Sequence, residues 1–363
     1  MALESLGRST IEHLVSDAPS KSFAELDARA QGEHREGSFE AMGQTARALR
    51  GAATTARERA IAANRLAGAY DGVGRSLRVL DAVREGLAER HIGADVRTML
   101  TINLANAHYA LWNLHESRAI AQSVLERLIE SPARTRLERV AEAFARALRG
   151  HTQRRLLNAC ESNAERTELA QRAWRDLQSA EDLYTRLYRE FDDAQYHTLA
   201  HTARGGALEA RVAAGNLAFE EALAEVVEEV ETSQDATAPR APAMLECRGW
   251  WSVFGANIAL RAREDPVQSS SRHDILERVI TQCIHTTAEV GAQLEHWPMR
   301  ERALTLQWIR DQPEDSDERE ACRDWSLDPE ELRVVVGAMG RFPFFRSTGH
   351  AILERAQRVG LSA

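Results

Sequence analysis

Lysine is all but missing from this chain: among its 46 basic residues only Lys21 is a lysine, and the rest are arginine. Nearly every positive charge is therefore a planar guanidinium, able to grip a carboxylate through two parallel bonds. A GC-rich coding bias would leave the same composition, so the shortage alone does not establish selection for such pairs. Proline and glycine are sparse, at 9 and 21 of 363 residues, too few for a turn-rich all-β protein. The four cysteines, Cys160, Cys247, Cys283 and Cys322, lie far apart with no CxxC, and read as scattered thiols in a reducing compartment. No run of about 18 uninterrupted apolar residues occurs. The opening MALESLGRSTIEHLVSD shows no basic stretch followed by an apolar core. These absences lead us to expect a soluble cytoplasmic protein with no membrane partner.

What is present is helix-forming. Ala, Leu, Arg and Glu dominate, 44% of residues are apolar and 28% charged with both signs mixed. The net charge of −9 is unevenly spread: residues 51–150 hold 15 arginines against 11 acids, and 201–250 hold 4 against 9. A nucleic-acid binder would gather its basic residues on one surface; so mild an excess gives no reason to expect such a partner. Apolar residues recur at three- and four-residue steps through 54–72, 75–90, 96–111 and 114–130, for example Leu77, Leu80, Val83 and Leu87. The joints between them are short, which implies antiparallel hairpins. Residues 151–192 read as one long or broken helix, and 194–231 as a pair around Gly215-Asn216. TSQDATAPRAP (232–242) reads as a linker. Helices are expected at 243–264, 273–293, 298–310, 329–339 and 347–359, with DPVQSSSR and DQPEDSDERE as loops between some of them. The domain scheme is a helical cap (1–54), helical repeats (55–231) and a C-terminal helical region (243–363). No alternating strand pattern appears.

Ala67, Ala105 and Ala143 stand 38 positions apart, and seven residues after each come Gly74, Trp112 and Gly150. A small residue lets two helices approach, and a glycine permits a sharp reversal. RLAGAYDGVG (65–74) and NLANAHYALWNLHES (103–117) carry a Leu-small pair, then Tyr70 or His108, then Gly74 or Trp112 at the turn. This pattern resembles the tetratricopeptide repeat over roughly 55–160, although the period exceeds the usual 34. Asn103 before Leu104-Ala105 is similar to kinesin-light-chain-type repeats. The resemblance implies an all-α solenoid of antiparallel helix hairpins, a right-handed superhelix with a C-terminal helical extension. It also implies a protein- or peptide-binding scaffold that uses the concave face and needs no cofactor or catalytic group.

On that alignment Asn64, Asn103 and Asn106 fall on or near groove-facing places, where a carboxamide would bond a peptide's backbone. Arg65 and Arg97 would pair with its acidic groups. Asparagines that are merely solvated, or that bond between repeats, are the competing reading. Asp193, His197 and His201 recur every four residues, so on one helix they would share a face and could ligate a metal. A metal-dependent enzyme built on these three is one alternative; a ligand-sensing regulator is another, and homo-oligomeric self-assembly stays open. Trp250-Trp251 cannot both face one core, so one should bury and the other meet a neighbouring helix or a partner.

Overall fold

The computed structural model describes residues 22–129, 135–160, 162–233, 241–264 and 266–294, together with single positions between His296 and Ala338. Among the described residues there are twelve α-helices and no strand. They are α1 (Phe23–Arg35), α2 (Phe39–Ala52), α3 (Ala56–Gly72), α4 (Ser76–Ala88), α5 (Ala94–Ala110), α6 (Leu114–Ile129), α7 (Arg136–Leu156), α8 (Asn163–Phe191), α9 (Ala194–Ala213), α10 (Phe219–Thr232), α11 (Ala241–Glu264) and α12 (Pro266–Gln293). None is long and apolar enough to cross a membrane.

Local chemistry sets where they start and stop. Ser22, Thr55 and Thr135 each accept a bond from the amide of a glutamate three residues on, whose carboxylate returns to the cap's own N–H. This reciprocal box satisfies two orphan donors at the heads of α1, α3 and α7. At the tails the chain reverses through left-handed residues: Gly37, Gly74 and Gly215 at φ 72°, and Trp112 at φ 60°. A side chain in that region costs about 1–2 kcal/mol. Trp112 is held there by burial, being 3% exposed within a cluster that includes Leu66, Val79, Leu100, Leu111 and Leu114. Its place, 38 residues after Gly74, confirms the turn expected from spacing.

Gly150 departs from that expectation. It lies inside α7, which runs on to Leu156, and a Cβ there would stand 2.6 Å from Leu177 Cγ. The glycine serves close packing of α7 on α8, not a reversal. The 151–192 segment is accordingly two helices, parted by a 3-10 turn (Leu157–Ala159) and by the Ser162 cap of α8. A second departure is DPVQSSSR: from Pro266 it is the start of α12. Proline suits a first helical turn, where its missing N–H goes unused. The loop DQPEDSDERE, the helix expected at 347–359 and most of the linker fall outside the described residues.

Each helix packs on its neighbours in sequence, giving six hairpins in succession. A second set of contacts joins α1 to α3, α3 to α5, α5 to α7, α7 to α9 and α9 to α11, whereas the even-numbered helices pack chiefly on their sequence neighbours. The odd helices thus form a tight inner row. Described residues of the expected 1–54 cap build the first of these hairpins, and α11–α12 continues the row onto α9 and α10.

Small residues keep that row close. At Gly205 in α9 a Cβ would overlap the ring of Phe254, itself 2% exposed. Gly205→Ala gains about 1 kcal/mol of helix propensity but faces an overpacking cost of about 1–3 kcal/mol, because a sealed ring cannot swing aside. A lower urea midpoint is expected; an unchanged or raised one would mean that the contact relaxes freely.

Candidate functional site

The inner row borders a partly open cavity of about 1460 Å³ whose wall draws on every odd helix. Because these helices run the same way, residues at equal depth in each form a level of the wall. Midway along α3 and α5 the wall carries Asn64 and Asn103, and near the C-termini of the same two helices it carries Asp71 and Tyr109. Nine aromatic rings reach the wall, among them Phe144, Tyr184, Phe191 and Trp250, against an aromatic content of 6% in the whole chain. Pockets for organic ligands are typically lined this way, apolar with a few placed polar groups.

Asn64, Arg65, Asn103 and Asn106 all line this cavity, and all are engaged with neighbouring helices. Asn103 Nδ2 donates to Asn64 Oδ1 at 2.8 Å. Asn106 Nδ2 donates to both carboxylate oxygens of Asp71 at 3.2 Å. Arg65 is paired with Asp27 on α1 at 2.7 Å. These are rungs between successive inner helices, spaced 35 to 39 positions apart in sequence. The inter-repeat reading of the asparagines therefore holds, and it coexists with a place on the cavity wall: each carboxamide has further donor or acceptor capacity beyond its single rung. Burial raises the Asp71 pKa, with His296 and the Asn106 bond opposing.

Arg97 is not on the wall. Six residues separate it from Asn103, which at 3.6 residues per turn places it about 240° around the helix. The three residues once aligned as metal ligands also part company. Asp193 is the N-cap of α9, with extended backbone, and its carboxylate folds back to accept from the Gln195 amide at 3.1 Å. It lines the cavity, whereas His197 and His201 are absent from its wall. The rings of His197 and His201 lie 4.4 Å apart; Tyr188 meets the first, and Trp251 Nε1 donates to His201 Nδ1 at 3.3 Å, with Glu229 3.4 Å from that nitrogen. Among the described residues no group of three or more His, Cys, Asp or Glu is arranged to hold a metal ion. The four-residue period assumed that Asp193 was already helical, and its capping role breaks that assumption.

The tryptophan pair divides as its adjacency requires. Trp251 is fully buried, and Trp250 lines the cavity.

The most heavily charged part of the wall had no sequence signal. Arg154 is 8% exposed and Glu209 2% exposed, and the two are ion-paired. Asn257 Nδ2 donates to the same carboxylate at 3.2 Å, and Arg261 reaches it at 3.4 Å. Arg155 covers the Tyr109 ring at 3.6 Å and donates to the Tyr109 carbonyl at 2.9 Å. His151, one turn before Arg154, stacks on Phe254 with centroids 6.2 Å apart, and its Nδ1 is sealed without a hydrogen-bond partner. Tyr184 Oη is sealed without a partner too. Such orphans cost roughly 1–3 kcal/mol each, so several on one cavity wall need a reason. Glu209 and its three partners come from three helices, and 48 to 55 positions separate it from them, beyond any helical period. Only the paired glycines Gly205-Gly206, one turn before Glu209, mark a close helix approach there. No protein-family model matches the chain, and no curated protein matches it.

Proposed function

We propose that the protein is a peptide receptor of the tetratricopeptide-repeat type, a right-handed superhelix of helix hairpins that holds its ligand on the concave face. The observation that carries this reading is the cavity itself. It lies along the inner row, it takes in four of the five residues that the repeat alignment would assign to ligand contact, and it is rich in aromatic rings. Its volume exceeds the roughly 300–1,000 Å³ of pockets built for drug-sized molecules, which favours an extended chain over a compact metabolite. Contact between successive odd helices, unmatched among the even ones, supports curvature toward the cavity.

Asn103 and Asn106 would present their unused carboxamide groups to the peptide backbone, with the rungs to Asn64 and Asp71 holding them in place. The Asn103→Ala/Asn106→Ala variant is expected to keep its helicity and to lose at least about tenfold in peptide capture from a random library, roughly the worth of one or two hydrogen bonds left unmade. Undiminished capture would remove these two residues from the site.

A further inference from the structure

One face of α7 lines the cavity, and its chemistry changes along the helix. Val140, Phe144, Ala147 and Leu148 recur there at three- and four-residue steps. Three of them, Val140, Phe144 and Ala147, share an apolar cluster with Tyr184 of α8 and Leu199 of α9, which line the cavity as well. The next turns of the same face carry His151, Arg154 and Arg155 into the wall. From Val140 to Arg154 the face spans about 21 Å of helix.

Arginine in the last turn of a helix answers its carbonyl dipole, and an exposed side chain can do that without leaving water. Arg154 and Arg155 stand in the last turn of α7, yet they are only 8% and 6% exposed. Arg261, in the last turn of α11, comes to the same Glu209 carboxylate as Arg154. Gathering guanidiniums away from water costs several kcal/mol per ion, a cost that the dipole alone does not justify. Arg154 spends Nη1 on Glu209 and leaves Nε without a partner. A guanidinium grips a carboxylate with two adjacent donors, so an unused Nε is half of such a grip. The charges of Arg154 and Arg155 add to burial in pushing the His151 pKa down, which makes this part of the wall electropositive.

We infer that the end of the cavity where α7, α9 and α11 meet is an anion subsite, and that the ligand is an elongated apolar acid, its carboxylate set against His151, Arg154 and Arg155 and its body along Val140, Phe144 and Leu148. The α-carboxylate of an apolar peptide and a free long-chain acid both present that chemistry. The subsite rests on the cavity's holding a ligand and goes beyond the peptide reading, which it does not require.

The full chain is titrated with two fluorescent dyes of one aromatic body: 8-anilinonaphthalene-1-sulfonate, an anion, and N-phenyl-1-naphthylamine, which lacks the sulfonate. The anion should bind at least about tenfold more tightly, the worth of one hydrogen bond to a charged group. Arg155→Met should bring the two affinities close together, by weakening the anion and sparing the neutral dye. Should that variant lose its helicity, Arg154→Met/Glu209→Leu takes its place, because it removes the buried counter-charge along with the guanidinium. Equal affinities in the wild type, or a preference that survives the substitution, overturn the subsite. The bound anion is then displaced with dodecanoate or 1-dodecanol, and with an octapeptide mixture bearing free or amidated C-termini. Stronger displacement by the acid member of either pair supports the subsite. Equal displacement within both pairs, or none by any of the four, overturns it. Free peptides outdoing amidated ones make the peptide the source of the carboxylate. Dodecanoate acting alone, with both peptide forms inert, removes the peptide reading and leaves the subsite standing.

Discussion

Glu209→Ala should lower the free energy of unfolding by about 3–5 kcal/mol, the usual cost of stranding one member of a buried ion pair. Glu209 is the single carboxylate to which Arg154, Asn257 and Arg261 all turn, and both it and Arg154 are buried. With the carboxylate gone, the Arg154 guanidinium stays in the wall of α7 without that counter-charge. Arg261 suffers less, because a quarter of its side chain remains exposed. The double change Arg154→Met/Glu209→Leu should fall well short of that loss, since exchanging a buried pair for apolar side chains of similar size is often close to neutral. An exposed pair gives the contrast: Arg59→Ala, which breaks the Arg59–Glu89 contact at the surface, should leave the urea midpoint close to that of the wild type. Urea titration followed by circular dichroism checks all three. Because contacts in a repeat array are local, protection of amides should fall first in α7, α9 and α11, with α3 and α4 affected least. A Glu209→Ala variant within about 1 kcal/mol of wild type would mean that water reaches the pair.

What was legible in the sequence were the features that act over one or two helical turns. Of the apolar stripe Leu77, Leu80, Val83 and Leu87 along α4, Leu80 and Val83 are buried, and Leu77 and Leu87 are partly buried against the same cluster. The 38-residue interval marks genuine reversals at Gly74 and Trp112. The capping boxes at Thr55 and Thr135 were missed by the reading of apolar periods, although each is a Thr-x-x-Glu before an apolar run. Gly150 shows the limit of spacing: it keeps the period, yet the residues after it, HTQRRL, propagate a helix instead of a turn. Asp193 shows another, since a residue at helical spacing ceases to share the face when it becomes the cap. Among the site residues, the wall positions of Asn103 and Asn106 followed from the repeat alignment. Glu209 and Arg154 did not, because their meeting depends on the inter-helix approach at Gly205 and Gly206 and leaves no periodic trace.

Acidification should weaken the fold through His151, and the direction follows from where its proton is lost. Its Nδ1 is sealed and without a partner, its ring runs parallel to that of Phe254, and Arg154 and Arg155 stand beside it. Burial, and after it the two guanidiniums, push its pKa well below the ordinary 6.5. Above pH 6.5 the folded and unfolded chains both carry it neutral, and its environment adds no pH dependence. Below 6.5 the unfolded chain takes up a proton that the folded chain refuses, so stability falls with pH, by up to about 1.4 kcal/mol per unit, until the folded pKa is reached. His34, His108 and His197, each lowered chiefly by burial, act in the same sense. Asp71 acts against them at lower pH, because its raised pKa lets the folded chain hold a proton that the unfolded chain has released. His151→Gln separates this contribution from the rest, as glutamine cannot titrate. Urea midpoints measured from about pH 7 down to about pH 5 should decline less steeply in the variant, by close to one proton's worth of slope. Parallel declines in the two proteins would mean that His151 accepts a proton inside the fold, and that the cavity wall beside Arg154 is wetter than its packing implies.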